Sequence, residues 1–280
     1  MNKFLLLVIL LNASCHTNNP KIIADLPKDL EEVSGTETIV DSDLIWMLND
    51  SGNKPNLYGV SKKGNIKKEL KIKAKNNDWE DLTSDKAGNL YIGDFGNNLN
   101  ERKNLAILKV KHSDLNNNKA IDVERISFHY PNQDKYPPKK DKMYFDCEAF
   151  FHFNDSLYLF TKSRVKDNPG KTDVYKIPAT KGNHAAKFVG TFTTCEDLTC
   201  WTTSVDISDD GKQMALLTQK AVLVFSNFNA DDFFSGSIET YHFNSETQKE
   251  GICFKNNKTL YITDERDQGG DGNLYELKLK

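Results

Sequence analysis

Four glutamates stand at matching places in a phrase that recurs along the chain: Glu32, Glu80, Glu148 and Glu250, with Thr203 in the remaining copy. Fourteen residues after the glutamate come Asp94, Lys162 and Asp264, with Asp50 as a looser counterpart in the first copy. If each glutamate opens a strand that lines a common axis, four carboxylates meet at one mouth. Like charges packed in a low dielectric raise one another's pKa or demand a cation. A divalent ion is one remedy, Ca²⁺ above all, because it accepts six to eight oxygens in flexible geometry. Asp50, Asn53, Asp94, Asn97 and Asn98 can add oxygens to such a site. Pairing with Lys162, Arg102, Arg164 or Arg266 is another remedy, and Arg102 is also a candidate anion contact. A third reading is structural: each glutamate accepts backbone N–H groups from a neighbouring strand and holds a ring together. Perturbed carboxylates occur both at functional sites and in structural networks, so these readings stay open.

Other chemistry is thin. No Gly-x-Ser-x-Gly elbow is present, nor a Walker-type phosphate loop. His16, His112, His129, His152, His184 and His242 show no zinc spacing. Trp79 and Trp201 can serve as ring platforms or fill space between sheets.

The elements that must position the glutamates are short strands. The stretch Asn77–Asn98 (NDWEDLTSDKAGNLYIGDFGNN) reads as a strand from Glu80, a turn at Lys86–Asn89 and a strand ending at Asp94. Copies begin at Glu32, Glu80, Asp146, Thr203 and Glu250, and each of the first four continues into two more strands. The last copy has only three strands before Lys280, while Ile22–Leu26 is a spare strand at the other end. Four strands per repeat of about 50 residues mark a β-propeller. The expected fold is therefore all-β, a propeller of five blades (six the alternative), with the N-terminal strand closing the last blade and removing two sheet edges.

Met1–Lys3 followed by the eight apolar residues Phe4–Leu11 is too short to span a bilayer and reads as a secretory leader. Small residues before Cys15 resemble a bacterial lipobox, which would make Cys15 a lipid-modified N-terminus. The expected organisation is 1–15 leader, 16–21 tether and 22–280 a single domain, long enough for one large all-β unit. A net charge of −3 with interspersed signs argues against nucleic acid as a partner. Cys195 and Cys200 can close a small loop, whereas Cys147 and Cys253 read as small buried strand residues.

The phrases LEEVSG, WMLNDSGNKPNLYGVSKKGNI, DWEDLTSD, NLYIGDFGNNLNER, FDCEAFF, LYLFTK, TSVDISDDGKQMALLT and QKEGICF resemble, over nearly all of the chain after Cys15, a widespread group of secreted bacterial propeller proteins. More distantly the chain is similar to SdiA-regulated-type propellers, esterase-like phytase propellers and calcium-dependent apyrases. The apyrase likeness implies five blades and places Glu80, Glu148 and Glu250 near a central calcium. Lys162 and Thr203 depart from an all-acidic ring. The leader together with the Asn- and Lys-rich composition resembles a Bacteroidota lipoprotein. The expectation is thus a monomeric, lipid-anchored envelope propeller that binds a small molecule or Ca²⁺ at its channel mouth. The alternatives are a metal-dependent hydrolase of a phosphoester, nucleotide or ester, and a non-catalytic module binding an envelope protein.

Overall fold

The computed structural model describes residues 14–16, 19–117, 119–244, 247–266 and 271–280. Most of the stretch expected to be a leader, residues 1–13, therefore lies outside the described residues, and of Cys15 only the backbone is described. Among the described residues no helix is long and apolar enough to cross a membrane.

Two short strands, β1 (Ser14–His16) and β2 (Lys21–Asp25), precede the first blade. Blade one is β3 (Val33–Thr38), β4 (Ile45–Asn49), β5 (Asn56–Val60) and β6 (Ile66–Lys71). Blade two is β7 (Trp79–Ser84), β8 (Leu90–Asp94), β9 (Ala106–Val110) and β10 (Glu124–His129). Blade three is β11 (Asp146–Phe153), β12 (Ser156–Lys162), β13 (Lys171–Pro178) and, after β14 (Gly182–Ala185), β15 (Lys187–Thr193). Blade four is β16 (Ser204–Ile207), β17 (Gln213–Leu217), β18 (Ala221–Ser226) and β19 (Ser237–His242). Blade five is β20 (Lys249–Asn256), β21 (Thr259–Asp264) and β22 (Asn273–Lys278), completed by β2. The protein is a five-bladed β-propeller closed by its N-terminal strand, with Ile22 opposite Tyr275 and Asp25 opposite Asn273.

Two outer edges carry an extra strand that the repeat pattern does not announce. β14 lies parallel to β10, and β1 lies parallel to β19. Both cover an otherwise unpaired ladder edge.

Period-two alternation gives each blade two apolar faces, and each of the five hydrophobic clusters lies between consecutive blades. Phe95, Ile107 and Phe128 of blade two meet Phe150, Leu159 and Tyr175 of blade three. Tyr158 and Phe160 of blade three meet Leu216, Phe225 and Phe233 of blade four. Cys147 and Cys253 sit in these interfaces as buried free thiols.

At the axis the innermost strands are sewn together by side chains. Asp81 accepts N–H bonds from Leu82 (2.9 Å) and Phe150 (3.2 Å) and the Ser204 hydroxyl (3.1 Å). Asp206 accepts Phe254 N–H at 2.7 Å, Ser204 Oγ accepts Ile252 N–H at 3.2 Å, and Thr83 Oγ1 accepts His152 N–H at 3.3 Å. Bonds that satisfy buried donors and acceptors across a seam are costly to lose singly. The ring-holding role anticipated for the glutamates thus falls to Asp81, Asp206 and hydroxyl side chains.

Candidate metal centre

The glutamates of blades two, three and five occupy one peculiar position. The pairing of β7 with β8 slips between Trp79 and Leu82, that of β11 with β12 between Cys147 and Ala149, and that of β20 with β21 between Lys249 and Gly251. Glu80, Glu148 and Glu250 ride on these bulges, a device that re-aims a side chain. Blade one has the same slip between Val33 and Thr36, which makes Ser34 its counterpart. Glu32 is therefore not in the ring: it lies two residues earlier, exposed, where Asn53 donates to its carboxylate. Ser34 instead donates its hydroxyl to Glu80 O. Blade four has no slip, and Thr203 donates to Lys249 O at 2.8 Å.

The second expected ring divides in the same way. Asp94 pairs with Trp79 and Asp264 with Lys249, but their counterparts in blades three and one are Thr161 and Asn49, not Lys162 and Asp50. A one-residue offset in a strand turns a side chain to the other face. Asp94 is fully buried and accepts from Asn77 (2.7 Å) and Arg102 (3.0 Å). Asp264 is also fully buried and accepts from Asn273 N–H and Thr247, both at 2.7 Å, and from Tyr275. Arg102 donates to Gly96 O at 2.6 Å and spends itself on the loop it closes. Asn97 bridges blades, donating its N–H to Asp146 (2.6 Å) and its amide to Phe145 O (3.1 Å). Asp94, Asn97, Arg102 and Asp264 are thus fasteners, whereas Asp50 and Lys162 turn into the mouth.

At the mouth, ligand oxygens of Asp50, Asp78 and Glu80 all lie within 4.8 Å of one another. Asp78 escapes the repeat alignment, yet Asp78-Trp79-Glu80 and Asp146-Cys147-Glu148 share a D-x-E spacing that puts both acids on one side of an extended strand. Gly96 makes the approach possible, since a Cβ there would meet Glu80 Oε1 at 2.0 Å and Asp78 Oδ2 at 2.7 Å. Burial raises the Glu80 pKa well above the carboxylate range, and the charges of Glu148, Asp50 and Asp78 add to it. Burial also lifts Asp50 to about 6, against the Ser51 N–H bond that favours its charged form. The Asp78 pKa is raised by burial despite Arg102, whose Nη1 lies 3.9 Å away. Among the described residues no cation contacts Asp50 or Glu80.

Glu148, on the neighbouring blade, is the opposite case. Lys162 Nζ and Arg164 Nη2 each lie 3.0 Å from its carboxylate, and together they overcome the burial that would raise its pKa, holding it low. Burial pushes Glu250 to about 7, with Lys162 opposing and Glu148 and Asp50 assisting. Both cations lie over the Trp201 ring, Lys162 at 5.1 Å and Arg164 at 5.0 Å from its centroid. Trp201 is delivered there by the loop that the Cys195–Cys200 disulfide closes. The mouth therefore has a charge-satisfied half around Glu148 and a charge-starved half around Asp50, Asp78 and Glu80.

The donor set of the starved half is all oxygen, which suits a hard cation. Two ligands of one Ca²⁺ at about 2.4 Å can be no farther apart than about 4.8 Å, the spacing that this triad satisfies.

No family model matches the sequence, and no curated protein matches it. Solved structures match in fold. The PQQ-bound aldose sugar dehydrogenase of Streptomyces coelicolor superposes with a TM-score of 0.54 at 9% identity, over 94% of this chain and 98% of that one. XC5397 of Xanthomonas campestris, a gluconolactonase, gives 0.51 at 11% identity over 96% and 97%. Regucalcin of Agrobacterium tumefaciens, described as a calcium-binding protein, gives 0.50 at 10% identity over 96% and 98%. At these identities the likeness is one of fold.

Proposed function

We propose that this propeller binds a divalent cation, Ca²⁺, at the mouth of its central channel through Asp50, Asp78 and Glu80. The observation that carries the reading is three converging carboxylates, two with no cationic partner among the described residues, beside a fourth carboxylate, Glu148, that has two. The regucalcin neighbour, described as a calcium-binding protein, agrees with it. Bound there, the ion would neutralise the triad and leave positions for water or an oxygen-bearing ligand. We further propose that the protein works in the bacterial envelope as a monomer, exported by its leader and held to the membrane by lipid on Cys15. The pattern of residues 1–15 supports that part.

A calcium titration of the melting temperature tests the cation site. Ca²⁺ should raise Tm saturably after exposure to chelator, and Glu80→Gln should abolish the response while the fold survives. A wild-type protein whose melting ignores Ca²⁺ and Mg²⁺ alike would defeat the proposal. Mass spectrometry of membrane-associated protein checks the lipid on Cys15, and an unmodified, freely soluble product would remove that part alone.

A further inference from the structure

The proposed cation site uses only one mouth of the channel. At the other end of the innermost strands a cavity of 1360 Å³ opens between the loops that join first and second strands. On its floor are Glu37 and Asp206, both buried. Its wall includes the small hydroxyl side chains Thr38, Ser42, Thr83, Ser84, Thr180 and Ser208. To one side the half-buried His152 lies flat against Tyr91, with ring centroids 5.4 Å apart and planes at 22°. Phe153, also partly exposed, stands next to it.

The charges of the cavity narrow what can enter. Its lining holds seven carboxyl groups against four lysines, so an anion is disfavoured. Three of those lysines are committed to partners, Lys62 to Asp43, Lys109 to Asp85 and Lys255 to Glu276. The floor is not simply an anionic trap either. Burial raises Glu37 well above the carboxylate range, with the Asp206 charge adding to it, and burial lifts Asp206 to about 7 against its two N–H bonds. Near neutrality the floor therefore offers hydroxyl donors as well as acceptors. Burial lowers the His152 pKa, which leaves a neutral, flat ring.

We propose that this second mouth binds a neutral, polyhydroxylated ligand of the saccharide class, with His152 backed by Tyr91 as the platform and Glu37 and Asp206 as hydrogen-bonding partners for its hydroxyls. A sugar presents an apolar C–H face to a ring and hydroxyls around its edge, and the cavity supplies a ring at the side with carboxyl and hydroxyl groups around it. Its volume exceeds that of an ordinary small-molecule pocket, about 300–1,000 Å³, and has room for more than one sugar ring.

The test is a melting and calorimetric screen in chelator with maltose, cellobiose and chitobiose, using adenosine and putrescine as counter-probes. At least one disaccharide should raise Tm saturably. His152→Ala should weaken it by about five- to tenfold, the loss of an aromatic contact. Glu37→Gln should also weaken it, and Val40→Trp, at a rim position 56% exposed, should narrow the entrance without disturbing the core. Glu80→Gln at the far mouth should keep saccharide binding while losing its calcium response, so the two proposals fail separately. The inference is overturned if no disaccharide binds, if adenosine or putrescine binds in their place, or if binding is indifferent to His152→Ala, Glu37→Gln and Val40→Trp together.

Discussion

Asp50→Asn asks whether the mouth stores uncompensated negative charge. Burial lifts the Asp50 pKa from 3.8 to about 6. A rise of about two units corresponds to about 3 kcal/mol of differential free energy, and the partial exposure of the group cuts this to about 1–2 kcal/mol. The folded pKa lies above the unfolded one, so the charged form is the one that folding penalises. That cost is absent below the ordinary carboxyl pKa, grows between about pH 4 and pH 6, and is complete above it. In chelator at about pH 8, Asp50→Asn should therefore be more stable than wild type by about 1–2 kcal/mol, or about 2–8 °C in Tm, and at about pH 4 the two should coincide. The Ser51 N–H that Asp50 accepts can still be accepted by the Asn carbonyl. Calcium should invert the order: at about 100 times its Kd it adds about 2.7 kcal/mol to wild type, about 5–10 °C, and little to the variant. Scanning calorimetry of both proteins across pH, with and without Ca²⁺, reads all of this. An Asn variant less stable than wild type in chelator at about pH 8 would refute the reasoning, because it would show Asp50 acting as a structural acceptor instead of an unpaired charge.

Three further outcomes follow from the geometry. Lys162→Met strips a nearly buried partner from Glu148 and should cost about 3–5 kcal/mol in urea unfolding, far beyond the value of a surface pair. Gly96→Ala puts a Cβ where Glu80 Oε1 stands 2.0 Å away, so it should weaken calcium binding by more than tenfold in a titration while costing less stability than Lys162→Met. Ser204→Ala removes the hydroxyl that Asp81 and Ile252 N–H share across blades four, two and five, and should lower stability by about 1–3 kcal/mol in the same unfolding assay.

Much of the propeller was legible because its signal is written many times over. Five copies of a strand–turn–strand phrase survive the drift of any one, and the spare strand read at Ile22–Leu26, observed as Lys21–Asp25, matched the one missing after Asn273–Lys278. The site was legible only in part, because ring positions depend on single-residue register. The phrase EEVSG offers Glu32 as the match to EGI, whereas the backbone aligns Ser34-Gly35 with Glu250-Gly251. Lys162 and Asp264 stand at equal distances from their glutamates, yet Thr161 is the true counterpart of Asp264. Counting residues along the chain cannot resolve whether a slip precedes or follows a given side chain. Asp78 was missed because it lies outside β7, although its D-x-E spacing to Glu80 was available. The far cavity left no motif, since its floor comes from the ordinary strand residues Glu37 and Asp206 of different blades.

The strand that completes blade five precedes the first blade in the chain, and its partner β22 follows the strands of the other four. A nascent chain cannot seal its circle until β22 has been made, and until then both rims of the gap stay adhesive. Joining such remote ends carries the entropic delay of a very long loop. A circular permutant that begins at Val33 and carries Lys21–Asp25 after Lys278 would turn this closure into a local hairpin, and should reach the same architecture sooner and with less aggregation on the way.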